Sequence, residues 1–306
     1  MNKDMETSLY NDVYLNEYGF YTLKNLPKDK EREDYYKNSY YQDNMSIYLT
    51  KYTEQELYYK KIKLEQKLLL INEHHPPPQG NSSKNRSYLD VGCGEGFDLA
   101  FFKEKGFSVL GLDYSNAGIF NHNKNVLDDV LIGDIYSSIN YLIKKKSSFD
   151  IINLDSVLEH VVDPRILLEK LCNIININGI IIVTVPNDFS ILQQYLFNNK
   201  VIKKPHWVAP LDHISYFNKE GLINLCNCTG LSCIDFLGNH LIEFYAFHQK
   251  TNYFEDKSVG KECYFAIIEQ EKILNQISPQ QTLEFYRILG KMGVGRVIMG
   301  LFKKTL

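Results

Sequence analysis

The stretch Tyr88-Leu-Asp-Val-Gly-Cys-Gly-Glu-Gly-Phe97 decides how this chain is read. An apolar strand ending in Asp90 passes straight into glycines at alternate positions, Gly92, Gly94 and Gly96. An amphipathic run, Phe97 to Lys105, follows. Strand, glycine turn and helix N-terminus in succession form a cradle for a nucleotide-like ligand. Glycines let the backbone approach closely, and the helix start offers free N–H groups to an anion.

Outward from the turn, the next apolar segment, Phe107-Ser-Val-Leu-Gly-Leu-Asp113, ends in an acid. It stands about 20 residues after the glycines, the spacing that places a carboxylate on ribose hydroxyls. Val130-Leu-Ile-Gly-Asp134, Phe149-Asp-Ile-Ile-Asn-Leu-Asp155 and Gly179-Ile-Ile-Ile-Val-Thr-Val-Pro-Asn187 continue the alternation of strands and helices. That alternation implies a parallel sheet with right-handed crossovers. A dinucleotide fingerprint, G-x-G-x-x-G, needs its third glycine at Phe97, and Gly96 comes one residue too early.

The G-x-G-x-G spacing, with an acid two residues before the first glycine, resembles motif I of the class I S-adenosylmethionine (AdoMet) methyltransferases. Gly133-Asp134 resembles the adenine-binding turn of that family. Residues 149–161 resemble its motif IV, and Glu159-His160-Val161 resembles the E-H-V signature of the ubiquinone-type O-methyltransferases. The resemblance covers residues 86–187. It implies an α/β, Rossmann-like fold: a seven-stranded, mostly parallel sheet sandwiched by helices, with an N-terminal helical extension and a C-terminal helical tail. It implies AdoMet as cofactor, held by Asp90, Gly92, Cys93, Gly94 and Gly96 at the turn. Asp113, Tyr114, Asp134, Ile135 and Leu154 serve the adenosine side, and Tyr41 closes from the N-terminal segment.

The rest of the chain is divided by pattern. Residues 1–73 read as a mostly helical cap. Thr53-Glu-Gln-Glu56 is a capping box, and Leu57, Leu64, Leu68 and Ile71 share one helix face. Tyr40, Tyr41 and Tyr48 precede that helix. Residues 74–87, with Pro76-Pro-Pro78, form a linker. Residues 88–250 form the core, in which 187–217 breaks the rhythm. This insertion, rich in aromatics, stands where such folds build a substrate pocket. Leu231–Leu237 and Leu241–Phe247 are expected as the last two strands, and 251–306 as a helical tail.

Composition bounds the partners. The formal charge of −3 gives no electrostatic reason to expect a nucleic-acid partner. The six cysteines include no C-x-x-C pair, so no zinc site is expected. No signal-like N-terminus or spanning apolar run stands out, and the chain reads as cytoplasmic. Basic residues from Arg287 to Lys304 raise a membrane contact as an alternative, but packing on the chain's own domain or in a homodimer is preferred.

Methyl transfer from a sulfonium is an in-line displacement, so the protein must align the acceptor and remove its proton. His160 has the intrinsic pKa for that task. His213, in Pro210-Leu-Asp-His-Ile-Ser-Tyr-Phe217, is the second candidate base, and His206 a weaker third. Relatives with a metal carry a further acid three residues before the Glu of E-H. Ser156 stands there instead, so no metal is expected. The Asp/Asn-Pro-Pro-aromatic motif of amino-methylating enzymes is absent, and Asn153-Leu-Asp-Ser156 favours oxygen or carbon as acceptor. The expected activity is O-methylation of a small molecule such as a sugar, nucleotide sugar or glycan precursor. The alternatives are a quinone-type phenol or lipid, or a non-catalytic AdoMet-binding partner subunit.

Overall fold

Residues Ile151–Leu154 and Ile180–Val185 are almost wholly buried, and strands covered on both faces are written as such continuous apolar runs. They mark the middle of a sheet. The computed structural model describes residues 12–26, 51–77, 85–209 and 212–305. The described elements are strands β1 (Val13–Leu15) and β2 (Tyr21–Leu23), helix α1 (Glu54–His74), β3 (Ser87–Val91), α2 (Phe97–Glu104), β4 (Ser108–Asp113), α3 (Ala117–His122) and β5 (Val130–Ile132). They continue with α4 (Ile135–Lys144), β6 (Phe149–Asp155), α5 (Pro164–Leu171), β7 (Ile175–Pro186), α6 (Ile191–Asn198), β8 (Ser215–Tyr216) and α7 (Lys219–Cys228). The chain closes with β9 (Leu231–Asn239), α8 (Gly260–Ile277), α9 (Pro279–Met292) and β10 (Val297–Lys304).

The main sheet has seven strands in the order β5-β4-β3-β6-β7-β10-β9. Its β3, β4, β5, β6 and β7 pairings are parallel. Strand β10 is antiparallel to both its neighbours. The Rossmann-like, mostly parallel sheet expected from the sequence is therefore present. Successive side chains leave opposite faces, and two cores result. Leu89, Ile152 and Ile181 meet helices α4, α5 and α7 on one face. Tyr88, Ile151 and Ile180 meet α1, α2 and α9 on the other.

The capping box forms as read: Thr53 accepts from Glu56 N–H, and the Glu56 side chain accepts from Thr53 N–H. The helix face differs. Leu57 is exposed, and the buried side carries Ile62, Leu64, Leu70 and Ile71 together with Gln66 and Lys67. The polar pair joins a network described below, which overrides the simple apolar stripe.

Three expectations are corrected. Leu241–Phe247 is a 3-10 helix, and the seventh strand is β10, inside the stretch expected to be helical. Gly293 and Gly295, both at positive φ, stop helix α9 and turn the chain, after which Ile298, Leu301 and Phe302 are wholly buried. Residues 13–23 form a hairpin, not a helix, joined to β8 in a second, three-stranded sheet. Gly179 lies inside its strand: β7 begins at Ile175 and shifts register opposite Phe149 and Ile151. A Cβ on Gly179 would lie 2.8 Å from the Asp150 carbonyl oxygen.

The aromatics of 187–217 also find another use. Phe189, Trp207 and Tyr216 pack with Val13 and Leu23 from the hairpin. They form a satellite core.

Candidate active site

The sheet order reverses between β3 and β6, the topological switch point at which open α/β sheets leave a crevice beyond their carboxyl ends. The glycine turn enters that crevice. Gly92, Gly94 and Gly96 have φ of 73°, 52° and 75°, a left-handed backbone that costs a residue with a Cβ. A Cβ on Gly92 would sit 2.6 Å from Val157 Cγ2, in the loop after β6. Gly96 begins α2 without a side-chain cap, so the first-turn N–H groups are not satisfied by a capping side chain.

Asp113 is 5% exposed at the end of β4. Its carboxylate accepts from Gly94 N–H at 2.8 Å and from Ser115 N–H at 3.0 Å. The acid is thereby tied to the turn it serves. Tyr114 donates to Asp134 at 2.9 Å, and Asp134 caps α4 through Ser137 N–H. These residues gather at one sheet edge. The narrow turn, the uncapped helix start and the carboxylate beside them suit AdoMet.

Other assigned residues stand differently. Asp90 is buried and accepts from Asn153 Nδ2 at 2.8 Å, bridging β3 and β6. Burial, reinforced by Asp98, raises its pKa well above the carboxylate range. The Cys93 thiol lies among Leu99, Ile119 and Val126, and Ile135 and Leu154 point into the core. These three offer a ligand main chain only. Tyr40, Tyr41 and Tyr48 lie outside the described residues.

The sequence reading missed Glu95, inside the glycine turn. It accepts from Tyr52 OH at 2.8 Å on each oxygen and pairs with Lys60 at 3.5 Å and His122 at 3.3 Å. Lys60 also stands 4.4 Å from the Tyr52 ring centre. The segment leading into α1 is thus latched over the turn. An acid between two glycines of a ligand loop was the available signal.

His160 and His213 meet edge to face, ring centres 4.9 Å apart. His160 Nδ1 lies 2.7 Å from the Asp212 carbonyl oxygen. A carbonyl only accepts, so the proton is assigned to Nδ1 and the lone pair to Nε2. Burial lowers the His160 pKa, against the raising effect of Asp212. Burial, then His160 and Arg296, lower His213 to about 3. Both rings are neutral near pH 7. Arg296 pairs with Asp188 at 2.8 Å behind them. His206 stacks on Phe254, apart from the pair.

Glu159 is 1% exposed, and neither oxygen has a hydrogen-bond partner among the described residues. Burial raises its pKa well above the ordinary range. Potential ligand atoms of Glu159, His160 and His213 lie within 4.8 Å of one another. These are the residues that would hold a metal ion. Ser156, at φ 58°, contributes no acid there.

A cavity of about 340 Å³ opens between α1, the start of α2 and the carboxyl ends of β6, β7 and β9. Phe97, Asp155, Thr184 and His240 line it over an apolar floor that includes Leu237 and Met299. Neither the histidine pair nor any residue of the 187–217 insertion reaches it. Lys67, buried in its wall, lies 2.5 Å from Asp98 and 3.4 Å from Asp155. Burial alone would lower Lys67, but the acids outweigh it and keep the ammonium charged.

Residues 61–235 match the sequence family described as methyltransferase domain. The ubiquinone biosynthesis O-methyltransferase of Pasteurella multocida is 24% identical over 53% of this chain and 72% of its own length. Its namesake in Colwellia psychrerythraea is 26% identical over 53% and 69%. Among solved structures, a SAM-dependent methyltransferase from Archaeoglobus fulgidus has a TM-score of 0.44 at 19% identity, covering 82% of this chain and all of its own. A plantazolicin methyltransferase, solved in complex with a triazolic desmethylPZN analog and SAH, has a TM-score of 0.47 at 14% identity, covering 83% and 90%.

Proposed function

The chain belongs to the methyltransferase-domain family, and from that premise we propose that it carries the methyl group of AdoMet to an oxygen of a small molecule. It is an AdoMet-dependent methyltransferase. The bound cofactor supplies a methyl group already activated on a sulfonium. The chain's residues hold and orient it: Asp113 and the glycine turn on the ribose side, Tyr114 and Asp134 on the adenine side.

His160 is the general base in this reading. The observation that carries it is the 2.7 Å contact to the Asp212 carbonyl, which leaves Nε2 as the basic nitrogen of a neutral ring. A neutral imidazole takes the acceptor's proton as the oxygen attacks the methyl carbon. His213 packs on that ring and keeps it turned. The acceptor is a hydroxylated small molecule of the sugar, nucleotide-sugar or glycan-precursor type, its reactive hydroxyl at His160 and its remainder extending into the cavity beside the turn, which the histidine pair does not line. A quinone-type phenol is the second reading, favoured by the cavity's apolar floor and by the activity of the relatives. No metal takes part in this mechanism, and the acceptor is not a nucleic acid.

The test uses the purified protein, methyl-labelled AdoMet and the small-molecule fraction of a cell extract, with and without a strong chelator. A labelled O-methyl product in both samples is expected by mass spectrometry. Absence of any labelled small product would refute the reading. Loss under chelator, restored only by a divalent ion, would instead place a metal on Glu159, His160 and His213.

A further inference from the structure

His240 follows β9 with φ 59° and ψ 70°. This is the left-handed region, where a side chain is strained and glycine or asparagine is the ordinary occupant. Such strain persists where the surroundings impose it, and it gathers at functional sites. Here the surroundings do impose it. Arg296 N–H donates to the His240 carbonyl at 3.2 Å. Gly295 passes so close that a Cβ on it would lie 2.6 Å from Asn239 N. Because β9 runs parallel to β7, the strained residue stands at the same sheet edge as the glycine turn, Asp113 and Asp155. Of the described histidines, only His240 lines the cavity.

A neighbour sets the ring's protonation. Burial, with Glu271 next, raises the Tyr59 pKa, so the phenol keeps its proton; its oxygen lies 3.4 Å from His240 Nδ1, and we assign the phenol as the donor of this contact. Burial, then Lys63 and Arg296, lower His240 to about 4 despite Glu271. The ring is neutral with its proton on Nε2, and is therefore a hydrogen-bond donor there. Tyr59 is itself held. One turn on, Lys63 pairs with Glu271 at 2.8 Å. Glu271 also accepts from Gln66 at 2.8 Å and Tyr286 at 2.5 Å, tying α1 to α8 and α9.

We propose that His240 binds the methyl acceptor in this cavity, its Nε2–H donating to an oxygen of the acceptor while Tyr59 holds the ring in position. That oxygen is not the one methylated, because a donor on the attacking atom would compete for its lone pair. The acceptor therefore carries a second hydrogen-bond-accepting group beside its reactive hydroxyl. This inference rests on the small-molecule reading above.

The experiment compares wild type, His240→Gly, His240→Asn and Tyr59→Phe in the labelled-methyl assay, with the extract fraction as the variable. AdoMet affinity is measured by calorimetry for each. His240→Gly relieves the backbone strain, so a folding defect does not cloud the result. It is expected to bind AdoMet like wild type and to need about tenfold more extract for half-maximal rate, the loss of one hydrogen bond. His240→Asn tolerates the backbone and keeps an N–H donor, so it recovers part of that loss. Tyr59→Phe shifts the half-saturating amount more than the limiting rate. An active wild type matched by His240→Gly at every dilution would overturn this inference alone. A wild type that transfers nothing would sink the small-molecule reading and this inference with it.

Discussion

The base role proposed for His160 rests on a carbonyl. Without the Asp212 main-chain oxygen 2.7 Å from Nδ1, either nitrogen could carry the proton. The pair fixes Nε2 as the basic one, and burial lowers the pKa below the ordinary 6.5. The sign for activity follows. Protonation removes the base, so kcat/KM falls as pH drops through the His160 pKa and is flat above it. Because that pKa is lowered, the acid limb lies below pH 6.5. A pH–rate profile measures it directly, and a limb centred at or above 6.5 would remove His160 as a base of this kind. Among single residues, the left-handed glycine turn and the position of Asp113 at the end of β4 were legible from motif-like spacings in the sequence. His240 was not. A lone histidine after a candidate strand carries no periodic signal, and only its backbone angle and its place on the cavity wall distinguish it. Asp90, Cys93, Ile135 and Leu154 show the reverse. They were picked out by motif position, and their side chains serve the interior.

At the scale of elements, the last strand matters most. Strand β10 lies between β7 and β9, with Ile298, Leu301 and Phe302 wholly buried. Each such side chain contributes about 1.5–3 kcal/mol by burial, and deleting the strand also breaks both ladders. Removal of residues 297–306 is therefore expected to abolish folding, seen as loss of near-UV circular dichroism or of soluble protein. A deletion variant with native spectra and a native melting curve would mean that the strand is dispensable. The sequence hid this strand behind its charges. Arg287, Lys291, Arg296, Lys303 and Lys304 gave the stretch a basic, weakly amphipathic look. Leu241–Phe247, richer in aromatics, looked the better strand. Sheet membership is settled by partners far away in sequence, which local propensity does not encode. The central parallel strands β6 and β7 were legible for the opposite reason: burial on both faces writes them as continuous apolar runs. Gly238 and Gly290 show how closely the tail is fitted. A Cβ on Gly290 would approach the Phe236 carbonyl oxygen to 2.6 Å, where α9 crosses β9.

For the whole molecule, the arrangement puts its chemistry on one edge of one sheet. The cofactor turn, the histidine pair and the cavity all follow carboxyl ends of strands, where the switch point leaves room. Arg287 and Arg296 of the tail are engaged within the fold. Arg287 pairs with Asp235, Glu73 and Glu284, and Arg296 with Asp188. No described helix is long and apolar enough to cross a membrane. The residues leading directly into α1 are latched to the turn by Tyr52 and Glu95. The claim on which all else depends is that this cradle, with Asp113 at its centre, holds AdoMet. Titration calorimetry of AdoMet into wild type and Asp113→Ala tests it. Hydrogen bonds to a charged group contribute about 1.5–3 kcal/mol. The variant is therefore expected to bind roughly 10- to 100-fold more weakly than wild type while remaining folded. Equal affinity in the two proteins would contradict the assignment of the site.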